Sequence, residues 1–336
     1  MSLHQFFSST TTAGIRKRST PSGPDRAWII PAMPRPPLSI RHATLVGLIA
    51  IVLWSSVVGL IRSVSTCLGP TGGAAMIYTL GALLLALTAG FTPLRTIPRA
   101  YLGWGSLLFV AYEWCLSLSI GYAHTAQQAI EVGMVNYLWP TFTLLAAIAF
   151  NGQRANGLIV PGVLIALAGI CRVLAGEQGL DWAGMLTNIQ SNPLSYGLAF
   201  LGALLWAAYC TVTARMARGR NAITLFVTLT ALSLWAKYLI VGGEPMHWSL
   251  STGIHLVFAA AAMGLGYGAW NVGILHGNVT VLAGASYFTP VFSAALAAAL
   301  LQVPLTPAFW LGTGMVCGGA VLCWLATRGQ PVGAKS

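Results

Sequence analysis

The amino-acid sequence predicts an all-α polytopic membrane protein, with ten transmembrane helices arranged as two inverted five-helix repeats. Three observations carry this reading. First, only 7% of the 336 residues are charged, 17 Lys or Arg against 6 Asp or Glu, while 56% are apolar and the mean hydropathy is +0.75. A soluble domain typically carries about 25% charged residues. So few charges cannot cover a chain of this length in water, and lipid must solvate most of it. Second, ten apolar runs follow one another from residue 43. Third, a shift of about 150 residues superposes the first half of the chain on the second.

Residues 1–42 hold six of the 17 basic residues and one acid, Asp25, with Ser/Thr and Pro clusters at 8–12 and 31–37. This composition predicts a disordered basic tail. It also fits an organellar transit peptide, and Met33 is a second candidate start of translation. The first five runs, 43–64, 71–91, 100–122, 124–150 and 156–174, make a repeat at 43–175. Residues 176–192 are an external linker. The runs 193–214, 222–242, 252–274, 277–301 and 306–326 make a second repeat at 193–327, and 328–336 is a short tail. Each run can cross a hydrocarbon layer of about 30 Å at about 1.5 Å per residue. The runs exceed the roughly 10 residues of a barrel strand and do not alternate apolar with polar, so they read as helices.

Basic residues set the orientation. The loops on the side of the termini hold 14 of the 17, including Arg95, Arg99, Arg154, Arg215, Arg218 and Arg220; the other side holds Arg62, Arg172 and Lys237. Both termini are therefore expected in the cytoplasm. The pI near 9.8 reports this topology and not a nucleic-acid partner, because no basic residue lies at the centre of a run.

In the internal repeat, Tyr137, Pro140 and Phe142 fall on Tyr287, Pro290 and Phe292, and Gly162 and Gly169 fall on Gly312 and Gly319. Leu53 and Trp54 match Leu205 and Trp206, and Trp114 pairs with Trp270. Five spans per half invert the second half in the membrane. Transporters built this way place their site near the midplane between the halves.

Ionisable groups deep in a bilayer are costly and mark candidate sites. Glu113 in the third run and Glu131 in the fourth qualify. Ser117 shares a face with Glu113, and Gln127 and Gln128 share one with Glu131. That stripe lines an aqueous cavity or makes buried interhelical hydrogen bonds. Pro140 and Pro290 remove one helical hydrogen bond each, freeing the carbonyls of Asn136 and Ser286, and are candidate hinges. Aromatic side chains predicted beside these polar groups are Trp54, Tyr78, Tyr112, Trp114, Tyr137, Trp206, Tyr209, Tyr267, Trp270 and Tyr287. Tyr267, Trp270 and Asn271 share one helical face and could stack on a flat ligand.

Several chemistries find no support. The six cysteines show no metal-type spacing and read as small buried hydrophobes. There is no P-loop, HExxH or GxSxG motif, so no catalytic residue, metal or cofactor is assigned and an enzyme is not expected. Asn278-Val279-Thr280 matches a glycosylation acceptor but lies at a span end.

The motif of a Pro in the fourth run, a helix end, and Gly repeats in the fifth occurs twice, from Pro140 through Arg154 to Gly162 and Gly169, and from Pro290 through Pro304 to Gly312 and Gly319. It resembles the EamA-type unit of the drug/metabolite transporter superfamily. Tyr112-Glu113-Trp114, residues 127–140 and residues 266–271 make the chain most similar to the YddG-type aromatic amino acid exporters. Where that superfamily usually has Glu before Arg154 and Pro304, this chain has Gln153 and Val303.

The resemblance implies a secondary transporter of the inner (plasma) membrane that exports aromatic and other mostly neutral amino acids by alternating access. The alternative is export of aromatic or cationic drugs or metabolites of the same superfamily. An amino acid substrate needs partners for two charges. Glu113 or Glu131 could take the ammonium, directly or as a proton carrier, which leaves proton coupling open. With no mid-membrane Arg or Lys, the carboxylate would rely on Asn136, Gln127, Asn271, tyrosine hydroxyls or exposed backbone. A sugar phosphate, which needs such a cation, fits less well.

Overall fold

The computed structural model describes residues 39–175 and 182–328, and these form helices and connections with no strand among them. Residues 1–38 of the tail predicted at 1–42, residues 176–181 of the linker and residues 329–336 lie outside the described set, while Ile40, Arg41 and His42, assigned to that tail, already form the first turn of a helix. In chain order the helices are α1 (Ile40–Ser55), α2 (Val57–Leu68), α3 (Pro70–Thr88), α4 (Arg99–Gly121), α5 (Ala126–Asn136), α6 (Trp139–Asn151) and α7 (Ile159–Leu174). They continue with α8 (Trp182–Ser191), α9 (Pro193–Met216), α10 (Ile223–Val241), α11 (Leu250–His276), α12 (Val279–Ser286), α13 (Thr289–Leu301) and α14 (Pro307–Thr327). A short 3-10 turn at Leu94–Thr96 precedes α4.

Among the described residues six helical segments are long and apolar enough to cross a membrane, counting α5 with α6 as one, and the α1–α2 pair makes a seventh with a 41° bend. The helices α7 and α13 are apolar but shorter. Their ends are defined by local chemistry. Side-chain oxygens of Thr125, Asn192, Ser249 and Thr306 accept from the first-turn N–H groups of α5, α9, α11 and α14. Each satisfies a donor that the helix cannot.

Three predicted runs turn out to be broken. The first bends at Ser56, where Ser55 Oγ donates to Ile51 O and Ser56 Oγ donates to Leu53 O, both at 2.7 Å. Adjacent serines that bond back to their own helix are a recognised source of such bends. The fourth and ninth runs stop at Asn136 and Ser286 and restart at Trp139 and Thr289. Pro140 and Pro290 thus sit in the first turn of a new helix, where a missing N–H costs nothing. The linker, in turn, contains helix α8, which packs Met185 and Ile189 on the core and exposes Trp182 and Leu186.

Two local features occur at positions 150 residues apart. Helices α6 and α13 are both 13 residues long, and both end in a left-handed residue, Gly152 (φ 69°) and Gln302 (φ 53°). Helices α7 and α14 pack on each other through glycines: a Cβ on Gly169 would lie 2.7 Å from Gly312 O, and one on Gly319 would lie 2.6 Å from Gly162 O. Under the 150-residue shift the pair Gly162/Gly319 becomes Gly312/Gly169, so the contact is reciprocal. Such close backbone approach is open only to small residues. Six free cysteines are spread through the helices, with Cys115, Cys317 and Cys323 buried.

Gln153 and Val303 stand where the superfamily usually has Glu. Gln153 Nε2 donates to Thr327 O at 3.2 Å, tying the end of α6 to the end of α14. The position therefore works at a helix end.

Candidate functional site

Glu113 is fully buried in α4. An unpaired carboxylate there would cost several kcal/mol. Two tyrosines on different helices satisfy it. Tyr78 of α3 donates to Oε2 at 2.5 Å, and Tyr267 of α11 donates to Oε1. Ser117, one turn along from Glu113, lies 2.9 Å from the Tyr78 oxygen. Because the Tyr78 proton is used on Glu113, the serine hydroxyl donates. These two bonds give each carboxyl oxygen a partner, so neither is left unsatisfied in the interior.

Further aromatic rings continue from Tyr267. Trp54 of α1 stands edge-on to Tyr267 with ring centroids 5.3 Å apart, and lies 5.4 Å from Trp270. Gly266 makes room for Trp54, since a Cβ there would come within 2.7 Å of the indole Nε1. On the other side Trp206 of α9 lies 4.6 Å from Tyr112 and 5.2 Å from Tyr209. Phe109, fully buried, joins the two groups at 5.6 Å from Tyr267 and 5.3 Å from Tyr209. The result is a chain of rings drawn from α1, α4, α9 and α11. Trp54, Trp206, Tyr209 and Trp270 remain partly exposed, so the set offers aromatic faces near a buried carboxyl group.

The other predicted residues lie elsewhere. Glu131 sits in a separate polar knot: Gln127 Nε2 donates to Oε1 at 3.0 Å, while Asn188 Nδ2 and the Tyr196 hydroxyl donate to Oε2 at 2.9 and 2.7 Å. Gln128 accepts from His124 N and Asn192 Nδ2 at 2.7 and 2.9 Å. The stripe of α5 is thus engaged with the linker helix α8 and the start of α9. Asn136 spends its amide on Ala199 O at 3.3 Å. Trp114 donates its indole N–H to Ser233 of α10 at 2.8 Å, on a different face of α4 from Glu113. Tyr137 packs on the core, and its repeat mate Tyr287 is buried 6.2 Å from Trp324. Asn271 lies in α11, its side chain outside the described set.

Sequence reasoning missed Phe109, Asn188, Tyr196 and Ser233. Phe109 is four residues before Glu113 on the same helical face, a spacing that could have flagged it. Asn188 fell in a segment read as linker.

Comparison with known proteins agrees with this architecture. Residues 193–325 match the EamA-like transporter family. The chain is 62% identical over 288 residues to the aromatic amino acid exporter YddG of Escherichia coli K12, covering 86% of this chain and 98% of the relative. It is 60% identical over 291 residues to the YddG exporter of Salmonella typhimurium, covering 87% and 99%. A solved crystal structure aligns with a TM-score of 0.63 at 26% identity, over 86% of this chain and 99% of that one. The chain is a multi-pass membrane transporter, and it belongs to the YddG family of EamA-like proteins.

Proposed function

We infer that the protein exports aromatic and other mostly neutral amino acids across the inner membrane by alternating access of two inverted five-helix repeats, 43–175 and 193–327, with both termini in the cytoplasm. The observation that carries this is Glu113: a buried carboxylate, held by a tyrosine from each half, inside a chain of aromatic rings drawn from both halves. The relatives named as aromatic amino acid exporters match this chain over nearly their whole length.

The pairing of helices supports the inverted repeat. Helix α4 packs on α9, and α11 packs on α1; each pairs the third span of one half with the first of the other. Helix α3 packs on α10, and α7 on α14, each joining equivalent spans. Exchanging the halves maps these pairings onto themselves, as a two-fold axis in the membrane plane requires.

Within this reading the substrate ring stacks against Trp54, Trp206 or Trp270 and its ammonium approaches Glu113. The Tyr267–Glu113 bond crosses between the halves, so rocking must break it. An ammonium or a proton on the carboxylate weakens that bond. Glu131, by contrast, is read as holding the linker in place. A carboxylate among aromatic faces also suits organic cations, which keeps export of cationic drugs or metabolites as the second reading.

Proteoliposomes containing the full chain test the proposal with labelled Phe, Trp, Thr and a cationic drug. Saturable, mutually competitive Phe and Trp flux is expected. Drug flux alone would favour the second reading, and no saturable flux of any amino acid would sink the first.

A further inference from the structure

Positions related by the internal repeat differ in their surroundings. A shift of 152 residues carries α2 onto the last turns of α9, and a shift of 150 carries α5 onto α12. Val57, Val58 and Ile61 of α2 are buried, whereas their counterparts Tyr209, Cys210 and Thr213 are partly exposed. Likewise Met134 and Asn136 of α5 are buried, and Gly284 and Ser286 of α12 are partly exposed.

The packing shows the same asymmetry. Helix α2 lies against both α4 and α5. A Cβ on Gly133 would come within 2.9 Å of Val58 Cγ2, and one on Gly121 within 3.0 Å of Pro70 Cα. Among the described residues the end of α9 has no comparable packing on α11 or α12. A Cβ on Gly284 would meet nothing within 4 Å. One end of the molecule is therefore sealed where the equivalent end is parted. The sealed end carries the α4–α5 turn, which is external in the orientation proposed above.

Arg62 of α2, counted from sequence only as one of three external basic residues, fastens this seal. Its Nη1 donates to Ala123 O at 2.6 Å and to Gly121 O at 3.4 Å, and its Nη2 donates to His124 O at 3.3 Å. Helix α4 ends at Gly121. Carbonyls at a helix C-terminus lack helical partners, and a cation there complements the helix dipole. Under the 152-residue shift Arg62 falls on Ala214, which has no side-chain donor, so the device exists at one end only.

We propose that Arg62 is the external latch of the transport cycle, and that this structure is the form closed to the outside and open toward the cytoplasm. Opening outward parts α2 from the α4–α5 turn and frees the three carbonyls from Arg62, while the end of α9 closes on α11 and α12. Exchange of conformation between the two repeats produces that second form. The latch rests on the inverted repeats and alternating access proposed above.

A membrane-impermeant maleimide, applied without substrate to each side of oriented vesicles, tests it in the full chain. One protein keeps Cys210 as its single cysteine; the other carries Val58→Cys with all six native cysteines replaced by Ala. Val58→Cys should be labelled from outside more slowly than Cys210 is from the cytoplasmic side. Arg62→Met keeps the length of the side chain and donates nothing. It should speed external labelling of Val58→Cys by at least about tenfold, with labelling of Cys210 unchanged or slower. Unchanged labelling of Val58→Cys overturns the proposal, and so does faster labelling at both positions, which reports general loosening. A disulfide gives a second measure, because a Cβ on Gly133 would lie 3.6 Å from Val58 Cβ, within bonding range. Oxidised Val58→Cys/Gly133→Cys should carry no Phe flux until reduced, and equal flux in the two forms overturns the latch. Labelling needs no substrate, so the latch can fail while flux persists; absence of flux from the unaltered chain counts against the transport reading alone.

Discussion

Glu113→Gln is expected to lower aromatic amino acid flux in proteoliposomes by at least about tenfold, while the protein still purifies as a folded species. The substitution keeps the shape of the side chain but removes the charge that two tyrosine hydroxyls hold. A hydrogen bond to a charged group is worth about 1.5–3 kcal/mol, and about 1.4 kcal/mol is a factor of ten. Tyr267→Phe should produce a smaller loss, because it removes one donor and leaves Tyr78 on the other carboxylate oxygen. Glu131→Gln offers the contrast. Its partners Gln127, Asn188 and Tyr196 hold the linker, so flux should change less there than at Glu113. Equal loss at the two positions would contradict the division of labour between the carboxylates.

Gly169→Leu is expected to abolish accumulation of folded protein. A single added methyl group at this position already meets Gly312 O at 2.7 Å and Val316 N at 2.8 Å, backbone atoms that no rotamer change can move. Overpacking by side chains alone costs about 1–3 kcal/mol. Here the α7–α14 pair must separate along its length, and the penalty should exceed that range. Gly312→Leu should behave alike, because the contact is reciprocal. The controls are Gly314→Ala and Gly318→Ala on the same helix, whose added Cβ would meet nothing within 4 Å. Fluorescence-detected size-exclusion profiles of the variants would show the difference, and a monodisperse Gly169→Leu peak of normal height would refute the packing argument.

Much of the architecture was legible because a bilayer leaves few options. Long apolar runs must be helices, and each described run appears as one helix or a broken pair. The breaks at Asn136 and Ser286 follow from Pro140 and Pro290, although the prolines begin new helices and do not bend continuous ones. The bend at Ser56 was hidden, since no proline or glycine marks it; the adjacent Ser55 and Ser56 were the available signal. Glu113 could be found because a mid-membrane carboxylate is rare. Its partner Tyr267 is 154 residues away, and Tyr267 was expected beside the polar groups and on a stacking face but was not paired with Glu113. The two acids also looked equivalent in sequence. What separates them is the company each keeps, aromatic rings for Glu113 and the amides of α5 and α8 for Glu131, and no single-sequence pattern encodes that.

The central claim is that the aromatic chain around Glu113 is where substrate binds. Photolabelling tests it most directly, by irradiating the reconstituted protein with an azide-bearing phenylalanine and mapping the modified residues by mass spectrometry. Adducts at Trp54, Tyr112, Trp206, Tyr267 or Trp270 that excess unlabelled Phe suppresses are the predicted result. Suppressible adducts confined to the Glu131 knot would contradict it.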